Sequence, residues 1–301
     1  MAGSMDDVRT LIDRHCPSAR HDTAIVGLNL FRAVARGHQV NTMYQPTLCV
    51  VAQGRKQAAL GGRLFEYDAN NYMIVTVDLP VSGCIVEASE RSPYLALSID
   101  LDPLCIADLM LTVGPGAIAQ KAERSALAVS PLADELLDPV CRLLRLLDCP
   151  GDAAVMAPLI RREIHYRLLQ GEQGGLLRQA ATAGSHLSQI GRAADWIRSH
   201  YAKPVNVETL ARQAGMSVTS FHRHFKAVTL MSPLQYRTQI RLQEARRLML
   251  VGPRDAGKIG FDVGYDSPSQ FSRDYRKLFG LPPAADAARL RRTENASNPV
   301  G

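Results

Sequence analysis

The chain has 301 residues, 46% hydrophobic and 21% charged, with a net charge of +6. That length exceeds what one hydrophobic core normally serves, so two domains are expected. No apolar run approaches the roughly 20 residues of a membrane-spanning helix, and Met1 to Pro17 lacks the apolar stretch of a secretory signal. A cytoplasmic protein without a membrane partner is the expectation. The charge is uneven: residues 186–301 hold 18 Lys and Arg against 9 Asp and Glu, whereas residues 1–185 hold 17 against 20. The basic C-terminal portion fits a phosphate-binding face. The six cysteines, Cys16, Cys49, Cys84, Cys105, Cys141 and Cys149, form no Cys-x-x-Cys pair and no zinc-type spacing with histidine. They read as buried small apolar residues.

In chain order, Val8 to His15 and then Ala24 to Ala35 read as helices, the second with Ile25, Leu28, Phe31 and Val34 on one face. From Pro46 to Asp102 the pattern changes. Thr47–Ala52, Leu64–Tyr67, Tyr72–Val77, Val81–Ala88 and Tyr94–Leu101 are short β-rich runs. Gln53-Gly54, Gly61-Gly62, Asp68–Asn71, Leu79-Pro80 and Ser92-Pro93 mark turns between them. Such spacing predicts a sandwich or small barrel. From Asp102 to Gln170 the reading is helical. Helices are predicted from Pro103 to Met110, from Leu132 to Leu147 with a kink or split at Pro139, and from Ala157 to Leu169 with an Ile160, Ile164, Leu168 stripe. The last two of these helices read as packing on the barrel. Gly171–Gly175 and Thr182–His186 bracket a linker.

The C-terminal portion opens with a helix from Ile190 to Tyr201, in which Trp196, beside Ile197, reads as a core anchor. Asn206 caps the next helix, and Ser232-Pro233 caps a long one to about Leu250. Gly252 to Lys258 imitates a phosphate loop, but Ile259 stands where Ser or Thr would bind magnesium, and a helix precedes it rather than a strand. The most informative stretch runs from Val263 to Gly280. Gly264 suits a turn, Asp266 and Ser267 are capping residues, Pro268 suits the first helical position, and Gly280 is a stop. Phe271, Tyr275, Leu278 and Phe279 form an apolar face; Ser269, Gln270, Ser272, Arg273, Arg276 and Lys277 form the opposite one. This stretch has a twin. Phe221 and Phe271, Arg223 and Arg273, and Pro233 and Pro283 each stand 50 residues apart, while Leu210 and Ile259, and Gly215 and Gly264, stand 49 apart. The chain therefore carries a repeated helix-turn-helix.

With its Gly-Tyr-Asp-Ser-Pro-Ser-Gln-Phe-Ser-Arg-Asp-Tyr motif, the region from about Ile190 to Arg292 resembles the DNA-binding domain of the AraC/XylS family of bacterial transcription regulators. Val50-Val-Ala-Gln-Gly-Arg-Lys56, Asp78-Leu-Pro80 and Glu87-Ala-Ser with Pro93-Tyr-Leu-Ala-Leu97 resemble the N-terminal effector domain of one AraC subfamily. The resemblance implies an α+β protein of two domains. Residues 1–184 would form a cupin-like β-barrel or sandwich with flanking helices, for effector binding and dimerisation, with a linker. Residues 185–301 would form an all-α domain with two helix-turn-helix units. It implies double-stranded operator DNA, a small-molecule effector, RNA polymerase and a second copy of the chain as partners, and no cofactor. Thr219, His222, Arg223, Ser269, Gln270 and Arg273 would meet base edges. Ser217, Lys226, Ser267, Arg276 and Lys277 would meet phosphates. Two departures stand out. Leu230 replaces the Gly280 stop in the first copy, and Gly257 and Gly260 loosen the lead helix of the second.

The effector is expected to be small and apolar or aromatic, lined by Tyr44, Cys49, Val51, Tyr67, Met73 and Cys84. Three alternatives compete. A cupin-type enzyme fused to a DNA-binding module needs clustered His ligands, yet none of the eight histidines lies between residues 39 and 164. No Gly-x-Ser-x-Gly or His-Glu-x-x-His motif occurs either. Thiol sensing through Cys49 and Cys84 lacks a neighbouring basic residue in sequence. A metal pair at His222 and His224 fails because residues two apart on a helix face different ways.

Overall fold

A computed structural model describes residues 3–37, 39–113, 125–251 and 255–297, with side chains to residue 290. It is an α+β protein with an antiparallel β N-terminal part and a helical C-terminal part. By internal packing the chain divides into two units, Met1–Arg192 with Arg223–Leu230, and Ala193–His222 with Met231–Gly301.

The first unit begins with helix α1 (Met5–His15), closed by a Ser4/Asp7 capping box. Its strands are β1 (Arg20–Asp22), β2 (Leu28–Ala33), β3 (Val40–Tyr44), β4 (Thr47–Gln53), β5 (Arg55–Leu60), β6 (Arg63–Asp68), β7 (Asn71–Val75), β8 (Leu79–Glu87), β9 (Tyr94–Asp100) and β10 (Leu127–Pro131). They form two antiparallel sheets, ordered β1-β2-β9-β4-β7-β10 and β3-β8-β5-β6. Val8, Leu11 and Ile12 of α1 pack on the outer face of the larger sheet, whose Leu30, Leu48, Val50 and Ile99 are fully buried. Gly61 and Gly62, both with positive φ, make the two-residue turn of the β5–β6 hairpin, where Leu60 pairs with Arg63.

The helix expected from Ala24 to Ala35 is instead a turn and a strand. Gly27 adopts φ 80°, and Leu28 to Ala33 pair with β9 from Ile99 to Tyr94. Leu28 and Leu30 are buried at a spacing of two, and the ladder of β9 overrides the 3.6-residue pattern. Strand β10 likewise interrupts the stretch read as purely helical.

Helices α2 (Pro103–Val113), α3 (Asp134–Arg145), α4 (Pro150–Gln170) and α5 (Gly174–Ala181) follow. Helix α3 runs unsplit through Pro139. Ile160, Ile164 and Leu168 are buried as expected. The bracketed linker zone contains α5, whose Leu176 and Leu177 are buried. His165 of α4 is 1% exposed. Its Nε2 accepts the Asp102 backbone N–H at 3.1 Å, and Nδ1 has no partner among the described residues. Burial first, then the charge of Arg161, depress its pKa from 6.5 to about 4.

The C-terminal helices are α6 (His186–Ser199), α7 (Val207–Gln213), α8 (Val218–Thr229), α9 (Pro233–Val251), α10 (Ala256–Asp262), α11 (Pro268–Phe279) and α12 (Pro283–Ser297). Trp196 is only partly buried and stacks on His200, centroids 4.5 Å apart, whereas Ile197 is fully buried. Gly252 to Arg254 of the phosphate-loop imitation lie outside the described residues. Past them, Asp255 accepts the Lys258 N–H at 3.0 Å and starts α10 as an ordinary N-cap.

Gly260 has a packing reason that helix propensity conceals. A Cβ there would lie 3.0 Å from Cγ and Cδ1 of the buried Phe271 ring. A Cβ at Gly257 would meet only the Asp255 carboxylate, at 3.0 Å. Gly260→Ala should therefore destabilise the chain by about 1–3 kcal/mol through overpacking. Gly257→Ala should stabilise it by up to about 1 kcal/mol through propensity. Urea unfolding of both variants checks the opposite signs. His165 generates a second expectation. Its folded pKa lies below its unfolded value, so its contribution is complete above pH 6.5 and disappears as pH falls toward about 4. Over that window wild type should lose about 3 kcal/mol more than His165→Gln, from urea midpoints measured against pH.

Candidate nucleic-acid interface and ligand site

Both helix-turn-helix copies are built by the same local hydrogen bonds. In the first, the Asn206 side chain accepts the Thr209 N–H at 2.8 Å and starts α7. Gly215 takes φ 66°, and the Met216 N–H reaches back to the Ala211 carbonyl at 2.9 Å. In the second, Gly264 takes φ 91°, and the Tyr265 N–H reaches the Gly260 carbonyl at 2.9 Å. The turns thus match residue for residue at an offset of 49, the offset of the two glycines. Any side chain at Gly264 would be strained in φ, and its Cβ would fall 2.3 Å from the Ala202 carbonyl oxygen.

Ser217 Oγ accepts the Ser220 N–H at 3.3 Å at the start of α8, and Ser267 Oγ accepts the Gln270 N–H at 3.4 Å at the start of α11. Each hydroxyl keeps its own proton to donate outward. Helix α11 stops at Gly280 with φ 78°. Helix α8 stops in the same left-handed turn although the residue is Leu230, φ 59°, the one non-glycine with positive φ among the described residues. That conformation costs about 1–2 kcal/mol.

Thr219, His222, Arg223 and Lys226 are exposed on α8, as are Ser269, Gln270, Arg273, Arg276 and Lys277 on α11; Ser217 is exposed and Ser267 partly so. The apolar residues behind them, Phe221, Phe225, Phe271 and Tyr275, are at most 1% exposed. Among the described residues neither Arg223 nor Arg273 pairs with a carboxylate. Arg223 Nη2 lies 3.4 Å from His224 Nε2, and the His224 ring stacks on His186 at 4.1 Å. His222 is exposed, its ring edge-on to Phe221.

Helix α11 is held by a polar network. Asp286 of α12, with no exposed surface, accepts from Arg246 Nε and Nη2 at 2.8 and 3.2 Å, from Tyr275 Oη at 2.9 Å and from Arg289 Nη2 at 2.9 Å. The Arg246 guanidinium also lies 4.6 Å from the Phe279 ring centroid. Arg241 of α9 bonds the Tyr201 and Ala202 carbonyls at 2.7 and 3.1 Å, tying α9 to the chain that follows α6.

In the first unit, strand pairing sorts the candidate effector residues by face, because directly opposed residues share one. Cys49 opposes Met73 and Ser98, and Val51 opposes Ala96, so Cys49, Val51, Met73 and Tyr94 share one face of the larger sheet. Tyr67 opposes Lys56, Ala58 opposes Gly83, and Tyr44 opposes Leu79, so these share one face of the smaller sheet. The two faces look at each other: Cys49 and Tyr94 both act electrostatically on Lys56. Cys84 opposes Gln57 on the other face, where its thiol donates to the Gly37 carbonyl at 3.1 Å. Five of the six candidates therefore come together between the sheets, and Cys84 stands apart. Lys56 and Tyr94 join them without having been singled out. Arg55-Lys-Gln57 is uniformly polar, so alternation fails there; the signal is Ala58 and Leu60, buried at Lys56 plus two and plus four. Burial raises the Tyr67 and Tyr94 phenols and pushes the Cys49 thiol up to about 11.

No helix among the described residues is long and apolar enough to cross a membrane. Residues 24–176 match the family described as "AraC-type transcriptional regulator N-terminus", and residues 210–289 match a "Helix-turn-helix domain". The HTH-type transcriptional activators RhaS of Salmonella schwarzengrund (strain CVM19633) and Salmonella agona (strain SL483) are 27% identical over 150 residues, 49% of this chain and 53% of theirs. The chain thus spans about half the length of the curated relatives it matches. Two structures of ToxT from Vibrio cholerae strain SCE256 share the fold. An apo form has TM-score 0.56 and 8% identity over 88% of this chain and 98% of its own. An unsaturated fatty acid bound form has TM-score 0.53 and 9% identity over 86% and 94%. With its N-terminal match covering half of its length and a duplicated helix-turn-helix behind it, the chain belongs to the AraC family of DNA-binding transcription regulators.

Proposed function

We propose that the chain is a sequence-specific operator-binding regulator governed by a small apolar or aromatic molecule held between its two sheets. The observation that carries the DNA reading is the pair of capped helices, α8 and α11, each with an exposed Arg-bearing face over a buried aromatic one. Arg223 and Arg273 would read guanine O6 and N7, and Gln270 adenine N6 and N7, with Thr219, His222 and Ser269 beside them on base edges. Ser217, Lys226, Ser267, Arg276 and Lys277 would hold phosphates. RhaS carries the name of a transcriptional activator, which favours activation through RNA polymerase. Exposed Leu104 and Leu111 of α2 and Val155 and Leu159 of α4 favour pairing of two copies. The effector reading rests on the shared interior of Tyr44, Cys49, Val51, Tyr67 and Met73, and on a fold shared with a fatty acid-bound relative.

Two readers on one duplex face engage major grooves about one helical turn, roughly 34 Å, apart. One protomer should protect two adjacent major grooves in footprinting. Arg223→Ala and Arg273→Ala should each cost about 1–3 kcal/mol of operator affinity and relax preference at their own sub-site. Arg276→Ala and Lys277→Ala should weaken operator and random DNA alike and lower the salt slope by about one unit each. Equal loss on operator and random DNA for both arginine variants refutes the base-contact assignment.

Thiol sensing is the weaker reading, because Cys49, with its pKa pushed up to about 11 by burial, holds almost no thiolate at neutral pH. A Cys49→Ser, Cys84→Ser double variant should keep its transcriptional response to peroxide and aldehydes in a reporter assay. Loss of a wild-type response would restore the cysteines as sensors.

A further inference from the structure

Lys56 is a half-buried, inward-facing cation with no carboxylate partner among the described residues. It sits on the inner face of β5 directly opposite Tyr67, itself 2% exposed. Its Nζ lies 5.4 Å from the Tyr44 ring centroid, and among the described residues no carboxylate pairs with it. Tyr94, 3% exposed, closes the cluster from the other sheet. Space for the ammonium depends on Gly83: a Cβ there would stand 3.1 Å from Tyr44 Oη and 3.2 Å from Lys56 Cε. The chain thus leaves out a side chain where the ammonium and a phenol approach each other.

An ammonium withdrawn from water costs several kcal/mol unless it is paired. Phenol oxygens solvate it in part but bring no net negative charge. We propose that the missing charge arrives with the ligand, and that the effector is a monoanionic organic acid whose carboxylate pairs with Lys56 between Tyr44 and Tyr94. This rests on the reading of the sheet interior as the effector site and narrows it to a chemical class. A single lysine matches one negative charge better than a phosphate dianion. Burial raises the Tyr94 phenol, so it can donate to a carboxylate oxygen, while the ring faces of Tyr44 and Tyr94 and Met73 offer an apolar wall to the rest of the molecule. Burial opposes the Lys56 charge, and the phenol oxygens of Tyr44 and Tyr94 beside it favour the charged form.

The test uses the full chain in a thermal-shift and equilibrium-binding series. The probes are benzoate, salicylate and octanoate, set against benzamide, salicylamide and octanamide. At least one carboxylate should bind tenfold or more tightly than its amide. Lys56→Met should lose that preference by about 10–100-fold while binding the amides as wild type does. Lys56→Arg should retain part of it. The ligand-free Lys56→Met chain should be at least as stable as wild type, since an unpaired charge is removed; marked destabilisation would reveal an internal partner and overturn the proposal. So would carboxylate binding that ignores Lys56→Met, or the absence of binding by all three acids. If the amides bind and alter operator affinity while the acids do not, the effector site stands and only its charge preference falls. If neither series binds or changes operator affinity, both readings fall.

Discussion

The presentation of the second reading helix depends on one buried carboxylate. Asp286 receives four hydrogen bonds from three side chains, so α9, α11 and α12 share one fixed point. Breaking such a buried pair costs about 3–5 kcal/mol, because the abandoned guanidinium would stay out of water. That cost makes the orientation of α11 a property of the scaffold. Its outer face is then free to carry Gln270 and Arg273 with no structural duty. The first copy solves the same problem otherwise. At the offset of 50, Tyr275 corresponds to Phe225 and Asp286 to Tyr236, each without exposed surface. Where the second copy has a phenol and an ion-paired carboxylate, the first has two buried aromatic rings.

Much of this was legible in the chain. The five β-rich runs between Thr47 and Leu101 correspond to β4, β6, β7, β8 and β9, because glycine, Ser92-Pro93 and Asp-Ala-Asn-Asn turns isolate them, whereas Leu79-Pro80, expected as a turn, lies inside β8 paired with Tyr44 and Met43. Both helix-turn-helix copies were legible because their turns demand glycine and their caps demand Asn or Ser. What was not legible shares a physical cause. Strand β2 carries Leu28 and Phe31, with Val34 just beyond it, at spacings that suit a helix, and only β9 beside it decides the outcome. Strand β5 opens with three polar residues, and only Ala58 and Leu60, two and four places on, hint that Lys56 faces inward while Arg55 pairs with Glu66 outside at 2.8 Å. Sequence periodicity reports environment, and both segments take theirs from residues distant in the chain.

The same limit applies to the glycines of α10. Propensity alone reads Gly257 and Gly260 as equal weaknesses. The structure separates them: Gly260 is the surface on which Phe271 rests, and Gly257 touches only its own capping residue. A helix can therefore accept a poor helix former where the neighbour it must approach is an aromatic ring of the reading helix. The lead and reading helices of the second copy are close because one of them gave up a side chain.

The Gly61-Gly62 turn carries a consequence of parity. A strand shows its faces with a period of two, and this two-residue turn fixes Leu60 against Arg63 and so Lys56 against Tyr67. A slip of one residue along β5 would exchange Lys56 for Arg55 or Gln57 on the inner face. The interior would then hold either a bulkier guanidinium or no charge at all. The chemical identity of the space between the sheets is therefore stored as an odd-or-even choice in a hairpin some distance from it, and a change in the length of that turn would rewrite it without altering a single lining residue.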